Sequence, residues 1–455
     1  MDRTLLKGGI VLTSDPALGV LWPGDVLIEG DRIAAVGPSL TADDAQVIDV
    51  AGRIVMPGFV DTHRHTWQSI VRTIASDWTL TDYFVGLHSG LSKHFRAQDT
   101  YAGNLLGALE ALDSGITTLV DWSHNLYTPE HADAAIQALR DTGMRAVFAH
   151  GGGAHQWQAP LPSAVPHPED ARRIRAEHFA SNDGLVTMAL ALRGPQFATE
   201  ETNRGDFALA NDLGLRVTVH VGDGAWGRIR PIKILERDGL LSDRTTYVHC
   251  NTLSDEELDL IRETGGTASV APDVEMQMGH GWPATGRLLA HGIRPTFSID
   301  VCSSNGGDMF GTMRTAIGAQ RALDNQDAVA ALRDVDKVSV TCRDVVSFAT
   351  LDGAVAAGLG DVTGSLTPGK QADLLVLAGD SFALNPVNNP FGAVVYAAHP
   401  GLVRDVMVGG AWRKRDGALV DVDVQRVIRL GAESRDHVFG EMPEARIGGD
   451  WMPNA

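Results

Sequence analysis

A handful of residues in this chain could hold a cation and move a proton. The first group is Asp61-Thr62-His63-Arg64-His65. In an extended segment alternate side chains face the same side, so His63 and His65 can present both imidazoles to one ion at ~2.1 Å. His220, the pair His249-Cys250 and Asp300 stand at the ends of three later apolar runs. His63, His65, His220 and Asp300 together offer three neutral nitrogens and one carboxylate, a donor set suited to zinc or divalent iron. A single strand-end histidine is ordinarily a hydrogen-bonded structural residue. The metal reading rests on a set spread over several strand ends in order.

Those ends belong to a regular alternation. FVDTH, TLVDW, AVFAH, VTMALAL, RVTVH, TYVHC, TASVA and PTFSID are each separated by a stretch of helical pattern or a turn. Eight such strands with crossover helices predict a closed (β/α)8 barrel of the TIM type, whose chemistry gathers at the carboxyl ends of the strands. The connection from Trp157 to Asp183, rich in Pro, Ala and His, reads as a lid or active-site loop. Before the barrel lie short alternating strands, with Gly30-Asp31 as a hairpin turn. Strand texture returns in QADLLVLAG, GAVVYAAH, LVRDVMVGG and AWRKRDGALV, after a helical stretch from Val338 to Gly360. The expected organisation is a small β-sandwich from residues 1–57 and 358–425, a barrel over 58–357, and a tail or packing arm over 426–455.

Composition narrows the function. Among 455 residues, 38 Lys+Arg against 57 Asp+Glu give a formal net charge of −19. Such a body repels nucleic acid and anionic membranes on average, so neither is expected as a partner. Three widely spaced cysteines, Cys250, Cys302 and Cys342, make no disulfide framework and point to the cytoplasm. No stretch approaches the ~20 apolar residues of a membrane span. HGGGAHQ lacks the spacing of a glycine-rich phosphate cradle.

The runs MPGFVDTHRHTWQS, VHVG, HCNTLSDEEL, SIDVCSSNGGDMF and ATLDGAVAAGLGDVTGSLTPGKQADLLVL carry a further signal. They resemble the amidohydrolase superfamily in its cytosine deaminase, S-adenosylhomocysteine deaminase and triazine hydrolase branch. The resemblance covers nearly the whole chain and is specific for the branch, less so for the substrate. It implies a metal-dependent hydrolase, an aminohydrolase turning C–NH2 of a small nitrogen heterocycle into C=O with release of ammonia. The alternative is hydrolysis of a C–Cl or cyclic amide C–N bond on a similar ring. It implies His63, His65, His220 and Asp300 as metal ligands, with Asp300 also taking the proton of the attacking water. His249 would orient the substrate. No lysine closes the fourth strand, so one divalent ion is expected, zinc first and Fe(II) second. Homodimers or larger homo-oligomers are usual in the family.

One position departs from the branch. Its deaminases carry a glutamate three residues beyond the fifth-strand histidine, and this chain has Asp223. The carboxylate is kept on a stem ~1.5 Å shorter, which bears on proton transfer to a ring nitrogen. In the same reading Trp67, Gln68, His124, Arg193, Gln196, Glu275 and His280 are the expected substrate contacts: Trp67 to stack, Gln68 and Gln196 to hydrogen-bond, Arg193 to meet an anion. Cys302 is expected to pack rather than react.

Overall fold

The computed structural model describes residues 3–157 and 162–442. Eight parallel strands run in sequence order around one sheet: Phe59–Arg64, Ile116–Ser123, Arg145–His150, Val186–Leu192, Arg216–Val221, Thr245–His249, Thr267–Val270 and Pro295–Phe297. These are the eight strands read from the sequence. The sheet meets itself where Asp300 bridges Arg64 in parallel. Nearly every strand residue is buried, as expected when helices cover one face and the barrel interior fills the other. Inside the barrel the hydroxyl of Thr62 hydrogen-bonds those of Ser269 (2.7 Å) and Thr296 (2.8 Å).

The crossover helices begin and end on local chemistry. Helix Asp255–Thr264 starts on a capping box, Ser254 accepting from the Glu257 amide and Glu257 answering the Ser254 amide. It ends at Gly265 in the left-handed region, φ 75°. Helix Ala97–Asp113 lies against the turn that follows the first strand. A Cβ at Gly103 would stand 2.2 Å from the Trp67 carbonyl oxygen.

Both ends of the chain build a second, nine-stranded sheet. Its two halves meet where Ile54–Pro57 pairs antiparallel with Leu374–Leu377, and Ile54–Pro57 also pairs parallel with Arg3–Leu12. The hairpin at Gly30-Asp31 joins Val20–Glu29 to Arg32–Gly37. A buried ion pair ties this sheet to the third barrel strand, Arg145 Nε lying 2.6 Å from Asp373 Oδ2.

Four segments differ from expectation. GAVVYAAH, read as a strand, is instead a helical turn, Pro390–Gly392 running into the π-type turn Ala393–Ala397. The Trp157–Asp183 connection contains helix Asp170–His178, and Ser163 is stapled to Phe197 and Thr199 by main-chain bonds of 2.8 and 2.9 Å. The Val338–Gly360 stretch is two short helices, Cys342–Phe348 and Leu351–Ala356, interrupted at Thr350, whose ψ of −92° leaves the helical region. Helix Met309–Ala330, 22 residues long, was not anticipated. Within the expected C-terminal arm, helix Val424–Glu441 packs on helix Ala97–Asp113, and residues 443–455 lie outside the described ones. Among the described residues no helix is long and apolar enough to cross a membrane.

Candidate functional site

At the carboxyl end of the barrel five side chains from four strand ends converge. Asp300 Oδ1 lies 3.2 Å from His63 Nε2 and 3.3 Å from His65 Nε2, and its Oδ2 lies 3.8 Å from His249 Nε2. The His220 ring centroid is 4.8 Å from that of His63. Ligand-type atoms of His63, His65 and His220 lie within 4.8 Å of one another, as do those of His63, His249 and Asp300. All five residues are buried.

Strand geometry explains the first pair, since His63 and His65 are alternate residues and point the same way. The others depend on unusual backbone. His249 (φ 77°), Cys250 (φ 61°) and Asp300 (φ 62°) occupy the left-handed region without being glycine. Such a conformation costs of order 1–3 kcal/mol per residue and is held by its surroundings. Here it turns the ends of the sixth strand and of the segment after the eighth so that both side chains face the barrel mouth.

The donor chemistry suits a cation. Both ring nitrogens of His63 and Nδ1 of His220 are buried with no hydrogen-bond partner among the described residues, and the close approach of His63 to Asp300 lacks hydrogen-bond geometry. An unmet buried polar group costs about 1–3 kcal/mol, which coordination would remove. His65 Nδ1 lies 2.8 Å from the Trp122 carbonyl, so it must carry the proton, leaving Nε2 as a free lone pair. Burial lowers the pKa of His63, of His65 to about 3, and of His220, keeping all three neutral. Burial alone would raise Asp300, but the neighbouring histidines outweigh it and hold the carboxylate ionised.

His249 has a different environment. Its Nδ1 lies 3.1 Å from Glu275 Oε1, and Glu275 also accepts from Asn251 Nδ2 (3.1 Å) and the Ala271 amide (2.8 Å). Burial would lower this imidazole, yet the Glu275 bond with the Asp223 and Asp300 charges raises it to about 9. Burial pushes Asp223 up to about 6. Its Oδ2 accepts from Gln196 Nε2 at 3.3 Å, while Oδ1 has no partner.

A cavity, partly open to solvent, lies over these groups. His65, His220, His249, Asp300, Asp223, His124 and His280 line it, together with Tyr83, Phe84, His88, Trp157 and Phe197. No lysine or arginine among the described residues does. Of the seven expected substrate contacts, His124 and His280 therefore reach the cavity and five stand behind its wall. Trp67 is fully buried and donates to His124 Nδ1 (3.1 Å). Gln68 is held between Tyr83 Oη (2.6 Å) and Ser303 Oγ (2.8 Å). Arg193 is spent on the Gln156 carbonyl (2.6 Å), Ser163 Oγ (2.9 Å) and Asp206 (3.3 Å), so it anchors a loop and meets no anion in the cavity. Gln196 accepts from the Gly222 amide at 2.5 Å and steadies Asp223. Glu275 is completely buried beside His249. Cys302 is buried 3.0 Å from Arg64 Nη2, away from the cavity lining.

Sequence reasoning missed Tyr83, Phe84, His88 and Phe197, while Trp157 opens the connection expected as an active-site loop. Tyr83, Phe84 and His88 lie on a short helix and the π-type turn that follows it, and Phe197 in a turn, where no long period announces which way a side chain faces.

Residues 54–413 match the model of the Amidohydrolase family. The chain is 31% identical over 454 residues to a 5'-deoxyadenosine deaminase of Methanothermobacter thermautotrophicus, covering 96% of this chain and 99% of that one. It is 29% identical over 427 residues to a 5-methylthioadenosine/S-adenosylhomocysteine deaminase of Symbiobacterium thermophilum, covering 90% and 93%. The fold superposes on a zinc-bound adenosine deaminase from Xanthomonas campestris with a TM-score of 0.83 at 24% identity, covering 96% and 99%. A triazine hydrolase from Arthrobacter aurescens gives 0.82 at 23%, covering 96% and 100%.

Proposed function

The chain belongs to the amidohydrolase family, a metal-dependent hydrolase acting on C–N bonds, and we propose from that premise that it deaminates a small, uncharged nitrogen heterocycle. The observation that carries this reading is the meeting, in one cavity, of the His63/His65/His220/Asp300 donor set with a second carboxylate, Asp223, whose pKa is raised to about 6. The deaminases among its relatives support a purine-like C–NH2 as the reacting group.

His63, His65, His220 and Asp300 would hold a single divalent ion, zinc before Fe(II). Bound there, such an ion supplies Lewis acidity, bringing water from a pKa of ~15.7 towards ~7. Asp300, ionised and beside the histidines, accepts the proton of the attacking water. His249, aimed by Glu275, steadies charge on the incoming oxygen. Asp223, poised near neutral pH and steadied by Gln196, donates to the ring nitrogen next to the reacting carbon. The proton held on Asp300 passes to the amino group, and the C–N bond breaks with loss of ammonia. The remaining hydroxyl proton returns to Asp223 as the carbonyl forms. The absence of lysine and arginine from the described lining favours a neutral or weakly basic ring over one bearing a phosphate or a free carboxylate.

The short reach of Asp223 supports one second reading. Chloride leaves without being protonated, so hydrolysis of a C–Cl bond asks less of the acid at this position. Ammonia and chloride release from aminopyrimidines, aminopurines and chlorotriazines, measured with chelated and zinc-reloaded protein, tests both. Chelator-insensitive turnover, or release of neither product, would overturn the proposal. Assembly as a homodimer or larger oligomer belongs to the same reading, and light scattering tests it.

A further inference from the structure

Three imidazoles run outward from the candidate metal-binding cluster. His65 is followed by His124, with ring centroids 4.0 Å apart, and His124 by His88, 5.0 Å apart and nearly parallel at 24°. The first two are fully engaged. His65 bonds Trp122 and faces Asp300, while His124 accepts from Trp67 Nε1 on one nitrogen and meets Tyr83 Oη at 3.4 Å on the other. His88 is 1% exposed and lines the cavity, yet neither of its ring nitrogens has a hydrogen-bond partner among the described residues.

Its other ring neighbours are aromatic. Phe84 and Trp157 pack edge-on, with centroids 5.3 and 4.9 Å away. His88 closes a wide π-type turn, Phe84–His88, in which the Ser89 amide bonds the Phe84 carbonyl at 2.8 Å. Such turns re-aim a side chain that an α-helix would carry elsewhere. The turn is tightly packed, since a Cβ at Gly90 would stand 2.3 Å from the Gly86 carbonyl. Burial pulls the His88 pKa down to about 3, so at neutral pH the ring offers one donor and one acceptor. Leaving both unmet is costly.

We propose that His88 is a second polar subsite, reading a ring carbonyl or ring N–H on the edge of the heterocycle remote from the carbon that reacts. The inference rests on the reaction proposed above and adds its substrate class: rings that carry a hydrogen-bonding group at that second edge.

The test compares matched probes in the zinc-loaded protein: cytosine against 4-aminopyrimidine, and guanine against 2-aminopurine, each pair differing by a ring carbonyl. The kcat/KM ratio within a pair should fall at least tenfold from wild type to His88→Phe, and His88→Gln should restore most of it. Comparing one pair between variants cancels the intrinsic reactivities of the rings. An unchanged ratio in folded His88→Phe overturns the proposal. Should that variant not fold, wild-type crystals soaked with uracil or xanthine decide, because a ring seated beyond hydrogen-bond distance of His88 is equally fatal. If wild type releases ammonia from none of the four rings, the soaked crystals alone decide on His88, and the reaction reading stands or falls on the wider panel above.

Discussion

Asp300 and His63 are joined through both main chain and side chain. The Asp300 amide donates to the His63 carbonyl at 3.0 Å, and Asp300 Oδ1 stands 3.2 Å from His63 Nε2. The Asp300 carbonyl in turn accepts from the His65 amide at 2.8 Å. The seam that closes the barrel is therefore made by residues of the candidate metal site. Asp300→Asn keeps the seam and removes the proposed proton acceptor. We expect kcat to fall ~10²–10⁴-fold with little change in Tm, read by steady-state kinetics beside metal analysis and thermal unfolding.

Glu275 is bonded to His249 Nδ1 and is not among the residues lining the cavity. Glu275→Gln keeps the size and an acceptor for the Ala271 amide but loses the charge that holds the imidazole. A ~10–100-fold loss in kcat with a smaller change in KM is expected, in line with other partners that orient active-site histidines. An unchanged kcat in a folded variant would remove Glu275 from the mechanism.

Gln196 links the Gly222 amide to Asp223. Gln196→Leu strands both, so stability should drop by about 1–3 kcal/mol, and kcat/KM should fall as Asp223 loses its fixed direction. Urea unfolding and initial rates measure the two effects separately.

Two helical glycines should respond in opposite senses to alanine. Gly318, exposed on helix Met309–Ala330, has nothing within 4 Å of an added Cβ, so Gly318→Ala should stabilise by about 1 kcal/mol. At Gly103 the Cβ meets the Trp67 carbonyl oxygen at 2.2 Å, and overpacking of about 1–3 kcal/mol should outweigh the same gain. Paired denaturant midpoints check the reversal.

Acid should weaken the fold through buried neutral histidines. His88 has a folded pKa of about 3 against about 6.5 unfolded, and burial also lowers His150 and His167. Because the folded value is the lower one, the unfolded chain takes the proton first. The contribution is whole above pH ~6.5 and is lost as pH falls below it. By pH ~5, His88 alone accounts for about 2 kcal/mol. Denaturant midpoints at pH ~7.5 and ~5 should differ in that direction, and the difference should shrink in His88→Gln.

Residues on strands were legible in the sequence because a strand has a period. His63 and His65 alternate, and His220, His249 and Asp300 terminate apolar runs, so their convergence could be anticipated. Trp67, Gln68, Arg193, Gln196 and Glu275 follow strand ends by a few residues. There, direction is set by tertiary partners such as Tyr83, Asp206 and Asp223, which no local pattern discloses. His88 illustrates the opposite loss, a cavity residue on a π-type turn with no strand end to mark it. The break at Thr350 escaped for a similar reason, since helical composition continues across it.

The pairing of Ile54–Pro57 with Leu374–Leu377 has a consequence for synthesis. During translation the first strands of the second sheet leave the ribosome about 300 residues before their partners. For that interval the edge of Ile54–Pro57 is an open template for any passing strand. The barrel, whose strands follow one another in order, can form while the edge waits. Chains stalled within the barrel should therefore aggregate through their amino-terminal strands, and a nascent-chain chaperone has a defined surface to cover.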